Sequence, residues 1–306
     1  MAIITPSLLS QLNTGYRADF QTAYESMRPA SIAARIATTV PSSSASNTYG
    51  WLGQFPKLRE WVGNRAVKDM AAHGYQIVNK SYESTVGVKR TDIEDDAMGI
   101  YRPLMAEMGR AAATFPDELI AALLAAGEST LCFDGQNFFD TDHPVYPNVD
   151  GTGTAAPAAN YDNGGASPGP AWYLLDCSRA LRPIIYQERK APVFVAKTRD
   201  DDETVFSTNE YRYGVDLRAN AGFGFWQMAY KSKKAFDATA YAAARTAMMQ
   251  LTADGGRPLG IMPNVLLVPP ALEAAARQVV GSQLTTGGAT NPWYGTAEII
   301  VSPYLS

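Results

Sequence analysis

Residues 1–45 constrain this chain most, because they make a helix whose packing surface must come from elsewhere. Leu8, Leu9, Leu12, Tyr16, Phe20 and Tyr24 recur at steps near four, which sets them along one helical face. Ala30–Val40 is small and apolar, and Pro41-Ser-Ser-Ser-Ala-Ser-Asn47 reads as a pliant tether. An amphipathic helix on a tether needs a partner surface. That surface belongs either to the chain's own body or to a neighbouring molecule.

Residues 46–95 read as a second unit. Tyr49-Gly-Trp-Leu-Gly-Gln-Phe-Pro56 is aromatic and turn-rich. Tyr75–Tyr82 and Thr85–Ile93 are predicted to be two strands of a hairpin turning near Glu83-Ser84. A single hairpin is marginal in water. This one carries Lys89-Arg90 and then Asp92, Glu94, Asp95 and Asp96. Such a charged, extended loop suits packing on another subunit; the plainer reading is a solvated strand pair on a mixed sheet.

A helix is expected to start near Met98–Tyr101, with Pro103 early in it and Asp95 and Asp96 favouring its N-terminal dipole. Its apolar stripe is Tyr101, Leu104, Met105, Met108, Ala111 and Ala112. It is expected to end near Phe115-Pro116, and Thr114-Phe-Pro-Asp117 resembles the cap of a second helix stopped by Gly127. Residues 133–170 are rich in Asp, Asn, Gly and Pro and read as a long loop, which at this length is either functional, as an exposed binding site, or disordered. Beyond it we expect a helix at Ala171–Leu181, a strand pair at Pro183–Val195 and sheet at Tyr211–Tyr230. Helices at Ala238–Leu251 and Ala271–Val280 and strands at Val265–Val268 and Glu298–Val301 follow. The fold class is α+β.

The charge balance excludes one large class. With 26 basic and 30 acidic residues and a net charge of −4, the chain lacks the basic surplus of a dedicated nucleic-acid binder. It remains compatible with enclosing DNA, since a strongly basic lining would hold a genome in place. Cys132 and Cys177 have no zinc-type spacing, so free thiols are the default and a disulfide between them the alternative. The longest apolar run, Leu119–Ala126, is too short to span a bilayer, so no membrane role is expected.

Chemistry finds little footing. His73 lies in a polar, turn-like segment with no carboxylate partner at a suggestive spacing. Asp134, Asp140, Asp142 and His143 could coordinate a divalent cation, but they lack EF-hand or zincin spacing, and a loop of self-bonded Asp turns is preferred. Asp150-Gly-Thr-Gly153 and Gly222-Phe-Gly224 match no complete protease or dinucleotide fingerprint. Lys231, Lys233 and Lys234 read as a solvated turn ahead of a phosphate site. No catalytic residue, cofactor site or metal site is assigned.

Several segments, in order over nearly the whole chain, resemble the Mu-like bacteriophage major head subunit family. They are 49–65 (Tyr49-Gly-Trp-Leu-Gly-Gln-Phe-Pro onward), Tyr75-Gln-Ile-Val-Asn-Lys-Ser-Tyr-Glu83 and Ile93-Glu-Asp-Asp96. Further on come Phe133-Asp-Gly-Gln-Asn-Phe-Phe-Asp-Thr-Asp-His-Pro144, Gln187-Glu-Arg-Lys-Ala-Pro192 and Tyr213-Gly-Val-Asp-Leu-Arg218. Gly222-Phe-Gly-Phe-Trp-Gln227 and Gly260-Ile-Met-Pro-Asn-Val-Leu-Leu-Val-Pro-Pro270 complete the set.

The resemblance implies the Hong Kong 97-type phage capsid fold, with an N-arm, an E-loop hairpin, a P-domain with a spine helix, and an A-domain. Mapped here, the arm is 1–45, the E-loop region 46–95 and the P-domain with its spine 96–135. The A-domain and remaining P-domain segments occupy 136–295, and 296–306 is a last strand returning to the P-domain. The implied function is a virion shell protein, assembled in the host bacterial cytoplasm as hexamers and pentamers around double-stranded DNA. Implied partners are copies of itself, scaffold/protease and portal proteins, and a decoration protein. Lys89, Arg90 and Glu94 are the candidate inter-subunit ion-pairing residues. Trp51, Phe55 and Trp61 are candidate apolar anchors, or else the base of the loop. Two other readings stand beside this one: an encapsulin-like nanocompartment shell, and a soluble metal-dependent enzyme built on Asp134–His143.

Overall fold

The computed structural model describes residues 5–50, 52, 74–94, 98–199 and 201–305. Helix α1 (Pro6–Met27) is capped by Thr5, whose hydroxyl accepts from the Leu8 amide. Its Tyr16, Phe20 and Tyr24 face is buried, as the spacing predicts. A 3₁₀ turn then leads into α2 (Ile32–Ile36) and strand β1 (Ala37–Pro41).

The predicted 75–93 hairpin is replaced by a different arrangement. Strand β2 (Ser46–Thr48) pairs antiparallel with β3 (Gln76–Val78), so the chain leaves and returns on neighbouring strands. Residues 80–89 then form one unbroken strand, β4 (Lys80–Lys89), with no turn at Glu83-Ser84. The alternation explains the difference. Tyr82, Val86 and Val88 are at least half-buried on one face while Ser81, Glu83, Thr85 and Gly87 are exposed, a pattern that suits one edge strand on a larger sheet.

After the short α3 (Arg90–Glu94) comes α4 (Met98–Ala125), 28 residues long and continuous through both Pro103 and Pro116. The expected break at Pro116 does not occur. A proline inside a helix costs about 3 kcal/mol. That cost is outweighed here because Met105, Met108, Ala112 and Ala113 on one side, and Ile120, Ala121 and Leu124 on the other, are all buried.

Residues 133–170 are not simply a surface loop. They contain β5 (His143–Val145), β6 (Ala156–Ala158) and β7 (Tyr161–Asp162), and they bury Phe138, Phe139, His143 and Asn160. The expected helix at 171–181 is instead β8 (Trp172–Leu175), a strand buried on both faces, whose periodicity cannot separate it from a buried helix. The expected pair at 183–195 is one 14-residue strand, β9 (Ile184–Lys197). Helix α5 (Glu203–Thr208) connects it to the equally long β10 (Glu210–Phe223).

The chain continues through β11 (Ala229–Ser232), α6 (Ala238–Met249), β12 (Thr252–Ala253), β13 (Arg257–Pro258) and β14 (Val265–Val268). The predicted 271–280 helix is broken into a 3₁₀ turn, the one-turn α7 (Glu273–Ala276) and a π-turn. The closing strand is β15 (Glu298–Val301).

Two sheets organise these elements. The first has the order β1-β9-β10-β4, and the second β15-β14-β8-β11-β7. Tyr16 and Phe20 of α1 and Met105 and Met108 of α4 share a core with Val88, Phe194, Tyr211 and Tyr213 of the first sheet. Ile120 and Leu124 of α4 share the larger core with Trp172, Tyr173 and Leu267 of the second. Helix α4 and strands β9 and β10 contribute to both cores, so these long elements tie the two halves together. Their reach matches: about 42 Å for the helix and about 46 Å for each strand. The closing strand pairs in parallel with β14, which places it in the second sheet and not in the sheet shared with α1.

Candidate assembly surfaces

A buried polar network ties together Tyr49, β3 and β9. The Tyr49 hydroxyl donates to Gln187 Oε1 at 2.7 Å, and Gln187 Nε2 donates to the Ile77 carbonyl at 3.1 Å and to Asn79 Oδ1 at 2.8 Å. Asn79 in turn donates to Ser42 Oγ and the Ser44 carbonyl. Gln187 is fully buried, so each of these bonds prevents an unsatisfied polar group. This junction also needs a bare backbone at Gly222, where a Cβ would lie 2.2 Å from Ile77 Cδ1 and 3.0 Å from the Tyr75 hydroxyl. That hydroxyl accepts from the Phe223 amide at 2.7 Å. The Gly-Phe-Gly run is therefore a packing device.

Trp51, Phe55 and Trp61 lie outside the described residues, as does His73. Lys89 is exposed at the end of β4, opposite Glu210. Arg90 is half-buried, and its amide donates to the Asn209 carbonyl at 3.1 Å. Glu94 ends α3, and its side chain is outside the described set. The structure thus sets Lys89 and Arg90 at the end of the edge strand β4, beside the start of β10, while Trp51, Phe55, Trp61 and the Glu94 side chain lie outside the described residues.

The arm finds its partner surface on its own chain. Gly109 of α4 forms a notch: a Cβ there would lie 2.2 Å from the Phe20 carbonyl oxygen and 3.2 Å from Ala23 Cβ. Around it, Arg102 makes a two-pronged ion pair with Asp19 at 2.8 and 2.9 Å. Tyr16 meets Tyr213 edge-on at 5.1 Å between ring centroids, and Asn13 Nδ2 donates to Thr198 Oγ1 at 2.9 Å. Arg102 holds the Asp19 carboxyl below its usual range. Farther along, Asp117 does not cap its own helix. It accepts from the Ala33 amide at 2.7 Å and so joins Ser31, which accepts from the Ala34 amide, in capping α2 of the arm. Sequence spacing recognised a capping residue but gave no sign that it would serve another segment.

The Asp134–His143 region makes a compact hydrogen-bonded knot. Asp134 accepts from Cys132 Sγ at 3.0 Å and lies 2.8 Å from His143 Nδ1, while His143 stacks on Trp226 at 3.9 Å. Burial alone would raise the Asp134 pKa, but the bonds to His143 and Cys132 outweigh it and lower it. Burial, reinforced by Asp134, pushes the Cys132 thiol far up, and a protonated thiol is a poor nucleophile. Cys132, Asp134 and His143 offer ligand atoms within 4.8 Å of one another and are the groups here that could hold a metal. Of the four residues proposed from sequence, Asp134 and His143 come together. Asp140 instead binds its own turn through the Thr141 amide, and Asp142 is exposed.

The three lysines are not a solvated turn. Lys231 is buried and donates to the Leu124 and Ala125 carbonyls at 3.4 Å, satisfying acceptors left open at the end of α4. Glu128 binds Lys231 at 2.6 Å, Lys233 at 2.8 Å and the Tyr161 hydroxyl at 2.8 Å. Burial would raise the Glu128 pKa, but these partners bring it down to about 2. Lys234 pairs with Asp162 at 3.0 Å.

Among the described residues no helix is long and apolar enough to cross a membrane. The chain matches the family model described as Mu-like prophage major head subunit gpT over residues 9–305. It is 48% identical over 306 residues to the major capsid protein of Escherichia phage Mu, covering 99% of this chain and all of the relative. The procapsid subunit of bacteriophage JBD30 superposes with a TM-score of 0.89 at 57% identity, covering 99% of this chain and all of that one. The subunit of the JBD30 capsid decorated with minor capsid protein trimers superposes at 0.75 and 42% identity, with both chains fully covered. These matches agree with the two-sheet α+β architecture, its long spine helix and its docked arm: the chain belongs to the Mu-like major head subunit family, structural proteins of the phage head with the Hong Kong 97-type fold, not enzymes.

Proposed function

We propose that this chain works as the major shell subunit of a tailed-phage head, arranged in hexamers and pentamers that close into an icosahedral particle around double-stranded DNA. The single observation that carries this reading is the full-length match to head subunits in sequence and in fold. The near-neutral charge supports a container over a binder of DNA. The arm, the 46–95 E-loop region and the α4 spine follow in the order such a subunit needs, with the body at 136–295 and 296–306 closing the second sheet.

Within the shell, the 49–75 excursion reaches a neighbouring subunit. Trp51, Phe55 and Trp61 supply apolar anchors there, and Lys89, Arg90 and Glu94 supply repeated, individually weak ion pairs. The wider assembly includes scaffold/protease and portal proteins, formed in the bacterial cytoplasm. A decoration protein on the exterior is supported by the minor capsid trimers of the JBD30 relative. Sedimentation of the purified chain over a range of salt concentrations tests the reading. Fast-sedimenting closed particles are expected, and small oligomers alone at every salt concentration would refute it.

A further inference from the structure

The knot at 132–143 brings together three different metal-binding groups, each held by the backbone around it. Cys132 and Asp134 lie on one tight turn. The Gly135 amide donates to the Cys132 carbonyl at 3.2 Å, and the Cys132 amide to the Gln136 carbonyl at 2.8 Å. Gly135 takes a left-handed conformation there, φ 86°, which a residue with a side chain rarely adopts. His143 opens β5 and sits opposite Ala158 of β6. Its ring is fully buried and lies flat on Trp226. Turn and strand thus fix the thiol, the carboxylate and the imidazole against one another.

Both oxygens of Asp134 face this cluster. Oδ1 lies 3.0 Å from Cys132 Sγ, and Oδ2 lies 2.8 Å from His143 Nδ1. The three ligand atoms stay within 4.8 Å of one another. Zinc bonds of about 2.0–2.3 Å put neighbouring ligand atoms roughly 3–4 Å apart, so side-chain shifts of about 1 Å suffice. Hydrogen bonding leaves the cluster open, because Nε2 of the buried His143 ring has no partner among the described residues. No donor therefore pins Nε2 as an acceptor, and the ring proton can move there and bare Nδ1 for a metal.

We propose that Cys132, Asp134 and His143 form a structural zinc site. A thiolate beside an imidazole selects zinc over calcium or magnesium, which take oxygen ligands. Asp134 fills two positions, one with each oxygen. On binding, the thiol proton goes to solvent and the imidazole proton moves from Nδ1 to Nε2. The metal cross-links the 132–136 turn to β5 and, through the stacked ring, to Trp226 beyond the end of β10. It thereby stiffens a segment that otherwise holds only short strands.

The test uses the full chain as unassembled subunits, stripped with a chelator and titrated with Zn²⁺. One zinc per chain should bind with a Kd of about 1 μM or below and raise the melting temperature. Cys132→Ser keeps a donor to Asp134, so without metal it should melt with the metal-free wild type. Its zinc affinity should fall at least about tenfold. Asp142→Asn, which alters a neighbouring exposed carboxylate, should bind zinc as the wild type does. Co²⁺ in the wild-type chain should give a thiolate-to-metal charge-transfer band, a readout that does not depend on any variant folding. Zinc that neither binds nor shifts melting would overturn the proposal, as would Co²⁺ binding without the thiolate band. Wild-type affinity in Cys132→Ser, with loss in Asp142→Asn, would overturn it too and move the metal to the exposed loop carboxylates.

Discussion

Replacing Gly109 by Ala gives a test in which two elementary effects predict opposite signs. In an isolated helix Ala is better than Gly by about 0.8–1.0 kcal/mol, so propensity alone makes Gly109→Ala stabilising. In this structure the new Cβ would stand 2.2 Å from the Phe20 carbonyl oxygen and 3.0 Å from its carbon. The obstacle is backbone, so no rotamer change relieves it, and α1 must retreat by about 1 Å to reach ordinary contact distances. Such overpacking costs about 1–3 kcal/mol, and a backbone clash belongs at the upper end. Full release of α1 would expose Tyr16, Phe20 and Tyr24, at about 1.5–3 kcal/mol for each buried side chain. Shifting is therefore cheaper than release, and the expected net loss is about 2 kcal/mol. Urea denaturation of unassembled subunits measures it, and faster amide exchange over 16–24 should accompany it. A Gly109→Ala subunit as stable as the wild type, or more stable, would refute the docking notch.

Asp117→Ala should cost about 1–2 kcal/mol in the same assay, because the buried Ala33 amide loses its acceptor while the Ser31 cap of α2 remains; Asp117→Asn should cost less. Glu128 adds an acid sensitivity. Its pKa is depressed from 4.5 to about 2, so its contribution is fully present above 4.5 and is lost as pH falls towards about 2. Solvent screening of the part-exposed Glu128 carboxylate holds that contribution to about 1–2 kcal/mol; Glu128→Gln should flatten stability against pH across this window.

What the residues revealed, and what they hid, follows from how local each signal is. The face of α1, the alternation of β10 and the apolar run of β14 were legible because burial imposes its period on each element directly. Pro116 misled because a local cost of about 3 kcal/mol was outweighed by packing on both sides of it, which no window around the proline contains. Asp117 and Lys231 were visible as a capping residue and a cation. Their partners, Ala33 and the end of α4, lie 84 and more than 100 residues away. The Glu83-Ser84 turn failed for a related reason: both residues are exposed, on opposite faces of a continuous edge strand, and β10, the strand that pairs with it, begins over a hundred residues later. The charge at Lys89-Arg90 is visible in the residues themselves, whereas the exposure of Phe206 is not, since one aromatic in a polar turn reads as a core residue until the fold leaves it uncovered.

The central claim is that this chain is a shell subunit, and electron microscopy of the purified protein addresses it most directly. The account predicts closed icosahedral particles whose reconstruction resolves this fold in rings of six and five. Only small, uniform oligomers, with no shells, tubes or rings at any salt concentration, would contradict it.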